Sequence, residues 1–273
     1  MMRAVLLLIL AITCANAARA ETLCTLVTDA RTGAVVIEEG ACAMRVTPAS
    51  TFKVPLAVMG FDSGVLSSPD APALSPRPGD PDWGGAPWRA EADPAHWMAH
   101  SVVWYSRRIA EALGAERLSG HALAYGFGNG DFSGDRGEDN GLDRAWIASS
   151  LLVSPKEQAA FLHALLGRAL PASAEAHAHT VSIITRHPQA EGWTLAGKTG
   201  SAYPRRADTS FDRDHGWGWY AGWAEQDGAP RYIVVRLAQA AGAGLPSGGQ
   251  HVRDTVFADW PAIAARLAGG GAQ

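Results

Sequence analysis

The chain has 273 residues, 47% of them hydrophobic and 18% charged, with a formal net charge of −4. This is an ordinary balance for a globular protein, and the length admits one core or two closely packed lobes. The acidic excess argues against a nucleic-acid partner, which calls for a basic footprint.

Residues 1–20 read as a secretory leader. Arg3 precedes an apolar run over 4–13, and small residues lead to Ala18-Arg19-Ala20, an Ala-x-Ala cleavage site. The run is too short for a retained membrane span, which needs about 20 residues. Cleavage is expected before Glu21. It removes Arg3 and Arg19 and no acid, taking the net charge from −4 to −6. Residues 21–273 then form a single periplasmic domain with no membrane attachment. Cys14 leaves with the leader, so Cys24 and Cys42 remain. Two cysteines in an exported chain predict one disulfide, which would stabilise by roughly 3 kcal/mol in the chain-entropy model. They flank a predicted hairpin: a strand from Cys24 to Thr28, a turn at Arg31-Thr32-Gly33, and a strand from Ala34 to Glu38.

Pro48-Ala49-Ser50 predicts a helix start, followed by an apolar helix through Met59 to Phe61. Six prolines between Ser67 and Trp88 predict loop or extended chain. His100 to Leu113 reads as one helix, with an apolar stripe of Val102, Val103, Ile109, Ala110 and Leu113. Six glycines between Gly126 and Gly141 predict a loop. Ser154-Pro155-Lys156-Glu157 is a capping box with proline at the first helical position. Trp193 to Leu195, Trp217 to Glu225 and Tyr232 to Leu237 read as consecutive antiparallel strands. A terminal helix over Val252 to Leu267 should be interrupted near Pro261. The fold class is therefore α+β: one antiparallel sheet from both chain ends, flanked by helices, with a helical lobe from the middle and a cleft between.

The chemistry concentrates in two motifs. Ser50-Thr51-Phe52-Lys53 sets a hydroxyl and an amine on one helix face. Serine is a poor nucleophile without a base in hydrogen-bond reach. Phe52, Val54, Pro55, Leu56 and Val58 make the neighbourhood apolar, so the Lys53 amine should be desolvated and partly neutral. Lys198-Thr199-Gly200, with Gly197 before it, supplies a second cation and a strand whose backbone a ligand can approach. Ser-x-x-Lys with Lys-Thr-Gly is the motif pair of serine β-lactamases and penicillin-binding proteins.

In order and spacing, Ser50-Thr51-Phe52-Lys53, Ser101-Val102-Val103, Phe127-Gly128-Asn129, Trp146 and Lys198-Thr199-Gly200 resemble the class D serine β-lactamases. Asn140 to Ile147, Ser154 to Gln158 and Gly216 to Trp223 extend the resemblance over the mature chain. The resemblance implies a β-lactam hydrolase that acylates itself on Ser50. It implies no metal and no organic cofactor, only carbon dioxide or bicarbonate to carbamylate Lys53 as N6-carboxylysine. The carbamate serves as base for acylation and deacylation, and the Trp146 indole holds it. The backbone N–H groups of Ser50 and Ser201 are the implied oxyanion donors. Ser101 relays the proton to the departing nitrogen, and Lys198 steers the substrate carboxylate. Val103 and Ile147 are implied apolar gates, and Phe127, Asn129, Thr199 and Gly200 belong to the substrate site. The family also places an arginine on the last helix against the substrate carboxylate. His251 and Arg253 both lie near that position, and Arg253 is favoured because guanidinium matches carboxylate bidentately.

No Ser-Asp-Asn and no Glu-x-x-Leu-Asn occur, so the class A arrangement with a deacylating glutamate is missing. Phe127 stands where the family commonly has tyrosine; the lost phenol predicts altered halide sensitivity. His177-Ala178-His179 has no third ligand nearby and is not read as a zinc site. Trp217, Trp219 and Trp223 are read as core and cleft wall. Two other readings share the motifs: a penicillin-binding sensor that acylates once and holds, and a peptidoglycan transpeptidase. Both are normally attached to membrane segments or added domains, whereas this chain shows a cleavable leader alone. The motifs do not separate a monomer from a homodimer, nor one β-lactam subclass from another.

Overall fold

The computed structural model describes residues 19–242 and 248–270. The expected leader lies outside them, apart from Arg19 and Ala20, which begin the first strand. β1 (Arg19–Asp29) turns back into β2 (Val35–Gly40). Asp29 shapes that turn: its carboxylate accepts from the N–H of Arg31 at 3.0 Å and of Thr32 at 2.7 Å. Gly33 follows at φ 73°, a left-handed conformation that glycine adopts without strain. Cys24 and Cys42 are disulfide-bonded, tying β1 to the chain just beyond β2 as expected.

Eight helices follow: α1 (Lys53–Asp62), α2 (Ala86–Arg89), α3 (Pro94–His100), α4 (Val103–Leu113), α5 (Ala115–Ala124), α6 (Gly141–Arg144), α7 (Pro155–Leu166) and α8 (Ala174–Ser182). The Ser154 capping box opens α7, with Ser154 and Glu157 reciprocally bonded. The chain then returns to the sheet through β3 (Arg186–Pro188), β4 (Trp193–Ala202), β5 (Trp217–Gln226) and β6 (Ala229–Ala241). β6 pairs with β1, so both chain ends close one antiparallel sheet of order β2-β1-β6-β5-β4-β3. α9 (Gly248–Gly270) completes the described chain.

The strand alternation sorts side chains to two cores. Trp219, Ala221, Trp223, Ile233, Val235 and Leu237 face the helical lobe. Tyr220, Ala224, Val234 and Leu195 face α9, against Val252, Val256, Trp260, Ile263 and Leu267. Complete burial of such an aliphatic side chain contributes about 1.5–3 kcal/mol, so α9 is held chiefly by this one apolar face. The reading of Trp219 and Trp223 as core is correct, and Trp217 packs half-buried beside them.

Two expectations need correction. The helix expected from His100 to Leu113 is two helices, with Ser101 between them at φ 58°. A left-handed residue ends a helix and sets a new direction, and it carries Ser101 out of either helical face. The terminal helix is not interrupted at Pro261: it runs from Gly248 to Gly270 with the proline inside. Pro261 lies on the exposed side, while Trp260, Ile263, Ala264 and Leu267 pin both flanks to the sheet. Packing overrides the roughly 3 kcal/mol by which an interior proline disfavours a helix. No helix among the described residues is long and apolar enough to cross a membrane.

Candidate active site

The nucleophile turn is a single 3-10 turn, Ala49–Phe52, that leads directly into α1. Thr51 fixes it: its hydroxyl donates to the Pro48 carbonyl at 2.7 Å. Thr47, just before, ties three segments together. Its hydroxyl donates to the Trp146 carbonyl at 2.9 Å and accepts from the Ala148 N–H at 3.0 Å. Its own carbonyl accepts from the Trp219 indole at 2.9 Å. Thr47 thus binds the turn carrying Ser50 to the turn carrying Trp146 and to the sheet. Sequence reasoning missed it, because a lone threonine carries no motif.

Ser50 is half-buried and reachable, whereas Lys53, one turn on, is 1% exposed. The Lys53 amine has no hydrogen-bond partner. Burial, with the nearby charge of Lys198 adding to it, holds its pKa well below the ordinary lysine value. Lys198 is itself buried on β4, and burial lowers its pKa to about 8. Its amine donates to the Thr199 carbonyl at 3.2 Å. Burial and the charge of Lys198, with no acceptor at hand, favour the neutral form of the Lys53 amine. That is a basic or CO2-reactive nitrogen, held one helical turn from a hydroxyl.

β4 approaches this turn through Gly200. A Cβ there would stand 2.8 Å from the Pro48 carbonyl oxygen and 3.3 Å from the Ser50 nitrogen. Only glycine lets the strand lie so close. β3 pairs with β4 only from Thr194 to Ala196, so the outer edge of β4 has no strand partner from Lys198 to Ala202 among the described residues. The Ser201 hydroxyl accepts from the Gly249 N–H at 2.8 Å, fastening the start of α9 to this stretch.

The remaining wall comes from the helical lobe. Trp146 is 1% exposed and packs 5.4 Å, centroid to centroid, from Phe52. Val103 is buried at the first turn of α4, and Ile147 is half-buried beside Trp146. Backbone strain gathers nearby: Ala49 and Ala148 adopt φ 50° and 55°, beside Ser50 and Ile147. These two alanines pack with Ala202 in one small apolar cluster, so the strained turns meet at the end of β4.

Three candidate substrate residues have protein partners of their own. The Asn129 amide donates to the Ser150 carbonyl at 2.9 Å, and its oxygen accepts from the Leu152 N–H at 2.9 Å. With both ends spent on backbone, Asn129 is a loop clasp. Phe127 is buried, 6.0 Å from Phe52 and 5.4 Å from Phe161, and supports the nucleophile turn from behind. Arg253 donates two bonds to Asp254, at 2.9 and 2.7 Å, and lies over the Phe257 ring. That places it on the α9 side of the sheet, with Phe257 against His187 and Tyr220. The pair with Asp254 is exposed, and the start of the same helix is fastened to Ser201. Among the described residues no group of three His, Cys, Asp or Glu side chains is arranged to hold a metal ion. His177 is buried and its neighbour-but-one His179 faces Phe61.

Comparison with known proteins agrees with this geometry. Residues 23–261 match the penicillin-binding protein transpeptidase domain. The chain is 38% identical to β-lactamase OXA-9 of Klebsiella pneumoniae over 250 residues, covering 89% of each. It is 31% identical to β-lactamase OXA-1 of Escherichia coli, over 78% of this chain and 74% of that one. The crystal structure of the class D β-lactamase OXA-427 superimposes with a TM-score of 0.81 at 41% identity, over 89% of this chain and 99% of the other.

Proposed function

This chain belongs to the class D β-lactamases, and we propose that it hydrolyses the β-lactam amide through an acyl-enzyme on Ser50, with Lys53 carbamylated in its working state. The observation that carries the reading is the Lys53 amine: 1% exposed, without a hydrogen-bond partner, and one helical turn from Ser50. A neutral amine is the form that adds to carbon dioxide, and burial shifts this one toward that form. The apolar walls of Phe52 and Trp146 and the free nitrogen fit the group. When bound, it supplies a carboxylate base that takes the Ser50 proton for acylation and activates water for deacylation.

The chain's own residues supply the rest. Gly200 brings the backbone of β4 against Ser50, which supports the N–H groups of Ser50 and Ser201 as the oxyanion donors. The open edge of β4 lets the substrate lie along the strand. Lys198, with Thr199 beside it, takes the substrate carboxylate, and Arg253 on α9 remains the candidate second cation. Ser101, turned out of its helices by its left-handed backbone, passes the proton to the departing nitrogen. Trp146, whose carbonyl accepts from the Thr47 hydroxyl and whose ring packs on Phe52, is the residue for holding the carbamate. The Cys24–Cys42 disulfide supports an oxidising, periplasmic destination, where turnover would protect a cell from β-lactam antibiotics.

The test is hydrolysis of a chromogenic cephalosporin by the mature protein, with and without bicarbonate, beside Lys53→Ala. Sustained turnover that rises with bicarbonate and is lost in the variant is expected. A single stoichiometric burst ending in a stable adduct would refute turnover and identify a penicillin-binding sensor.

A further inference from the structure

Beside the nucleophile turn lies a pocket of about 530 Å³, walled by the loop that ends in α6 and the loop that follows β4. Phe211 forms one wall. It packs against the cluster of Ala49, Ala148 and Ala202, and Ala49 immediately precedes Ser50. Two guanidinium groups stand over its ring, Arg205 at 4.2 Å and Arg144 at 5.4 Å. Arg205 is spent on structure: it donates to Asp135 at 2.9 Å, to the Thr209 carbonyl at 2.7 Å and to the Ala148 carbonyl at 3.3 Å. Arg206, also on the wall, is held by Asp212 at 2.9 Å.

Arg144 is the surplus cation. Its neighbour Arg107 has Asp143 at 3.1 Å, and Arg205 has Asp135. The nearest carboxylate to Arg144 is that same Asp135, at 3.9 Å, and the buried Arg144 Nε makes no hydrogen bond. Arg107, Arg144 and Arg205 therefore share Asp143 and Asp135, and Arg144, the most weakly paired, lines a pocket that also holds Arg136 and Glu138 and meets the nucleophile turn through Phe211. Burial and the charge of Arg205 both disfavour its cation, so a further anion there is stabilising.

We propose that Arg144, over the wall formed by Phe211, is a specificity subsite for a carboxylate carried on the acyl side chain of the β-lactam. The side chain packs on the Phe211 ring and its carboxylate supplies the partner that Arg144 lacks. This subsite is separate from Lys198, which serves the carboxylate on the β-lactam nucleus. Arg144 touches no reacting atom; it selects among substrates. The proposal rests on the acylation of Ser50 proposed above.

The experiment compares benzylpenicillin with α-carboxybenzylpenicillin, which differ in one side-chain carboxylate that is ionised at pH 7. The second-order constant is read as kcat/KM for ring opening, or by intact mass where an adduct persists, for the wild type, Arg144→Gln and Arg144→Lys. Expected is a loss of about tenfold in Arg144→Gln for the carboxylated penicillin, the scale of one charge-assisted bond. Benzylpenicillin should be acylated as in the wild type, which also shows that the variant is folded. Arg144→Lys should restore part of the preference, and high salt should weaken it in the wild type alone. Equal loss for both penicillins, or an unchanged ratio, overturns the subsite. A persistent adduct refutes turnover yet leaves the ratio to judge the subsite, whereas the absence of both ring opening and an adduct, with either penicillin, overturns both proposals.

Discussion

Replacing Lys53 by methionine separates the cost of the buried amine from its use. Methionine keeps the unbranched length and removes the nitrogen. The wild-type amine is 1% exposed, has no acceptor, and feels the charge of Lys198. An unsatisfied buried polar group costs about 1–3 kcal/mol. In buffer freed of carbon dioxide at pH 7, Lys53→Met should therefore be more stable than the wild type by about that amount. Each kcal/mol corresponds to about 2–4 °C in a domain of this size. The sign with pH follows from the lowered pKa. The folded state resists protonation more than the unfolded one, so the wild type is penalised most below its folded pKa. The penalty shrinks as pH rises toward the ordinary lysine value of 10.5. The advantage of methionine should shrink with it. Added bicarbonate should stabilise the wild type and leave the variant unchanged, because carbamylation draws only on the folded, neutral amine. Urea unfolding followed by tryptophan fluorescence gives all three numbers. A variant less stable than the wild type at pH 7, with a difference flat from pH 6 to 10, would refute the reasoning: Lys53 would then be a satisfied cation. The variant should also lose turnover whichever way its stability moves.

Gly200→Ala brings a methyl to 2.8 Å from the Pro48 oxygen, so the nucleophile turn must retreat. A loss of about 10²-fold in kcat/KM is expected for displacement of this kind, and unchanged kinetics would show that strand and turn need not touch. Lys198 loses its proton as pH rises through about 8. The dissociation constant of a carboxylate-bearing penicillin, read by equilibrium binding, should rise there in Lys53→Met, whose site carries no second ionising amine, and adding Lys198→Arg should abolish the rise because guanidinium stays charged. Removing the disulfide, whose cysteines are 18 apart in sequence, should cost roughly 3 kcal/mol in the unfolding free energy. It should leave kcat unaltered, because β1 and β2 lie at the far side of the sheet from the open edge of β4; a matched fall in kcat would contradict that separation.

What the sequence makes legible is what short-range chemistry fixes. The Ser50–Lys53 spacing is one helical turn wherever the helix packs, and the capping box at Ser154 needs only its own four residues. The hairpin bracketed by two cysteines is similarly local. Less is legible where a distant partner decides. Asn129 has the composition of a ligand-binding amide, but Ser150 and Leu152 claim it from across the loop. Pro261 signals a break that two flanking apolar contacts overrule. The helix through Ser101 fails for a subtler reason: the apolar stripe is real from Val102 on, and a single left-handed residue, invisible to periodicity, separates it from α3.

The unfavourable features of the fold are not scattered. Seven non-glycine residues among those described have positive φ. Four of them, Arg168, Glu191, Thr209 and Asp227, are exposed, where strain is readily relieved. The other three are Ala49, Ser101 and Ala148: the residue before the nucleophile, the second hydroxyl, and the turn beyond Trp146. The unpartnered Lys53 amine lies in the same part of the molecule. Strain of order 1–3 kcal/mol per residue persists only where the surroundings over-determine it. Here Thr47 supplies that constraint by clamping two of the strained turns to one another and to β5. Thr47→Val, which keeps the shape and removes both hydroxyl bonds, should let the turns relax. If the strain belongs to catalysis, that variant should lose more in kcat than in stability. If the turns are strained only by packing, stability should fall and kcat should not.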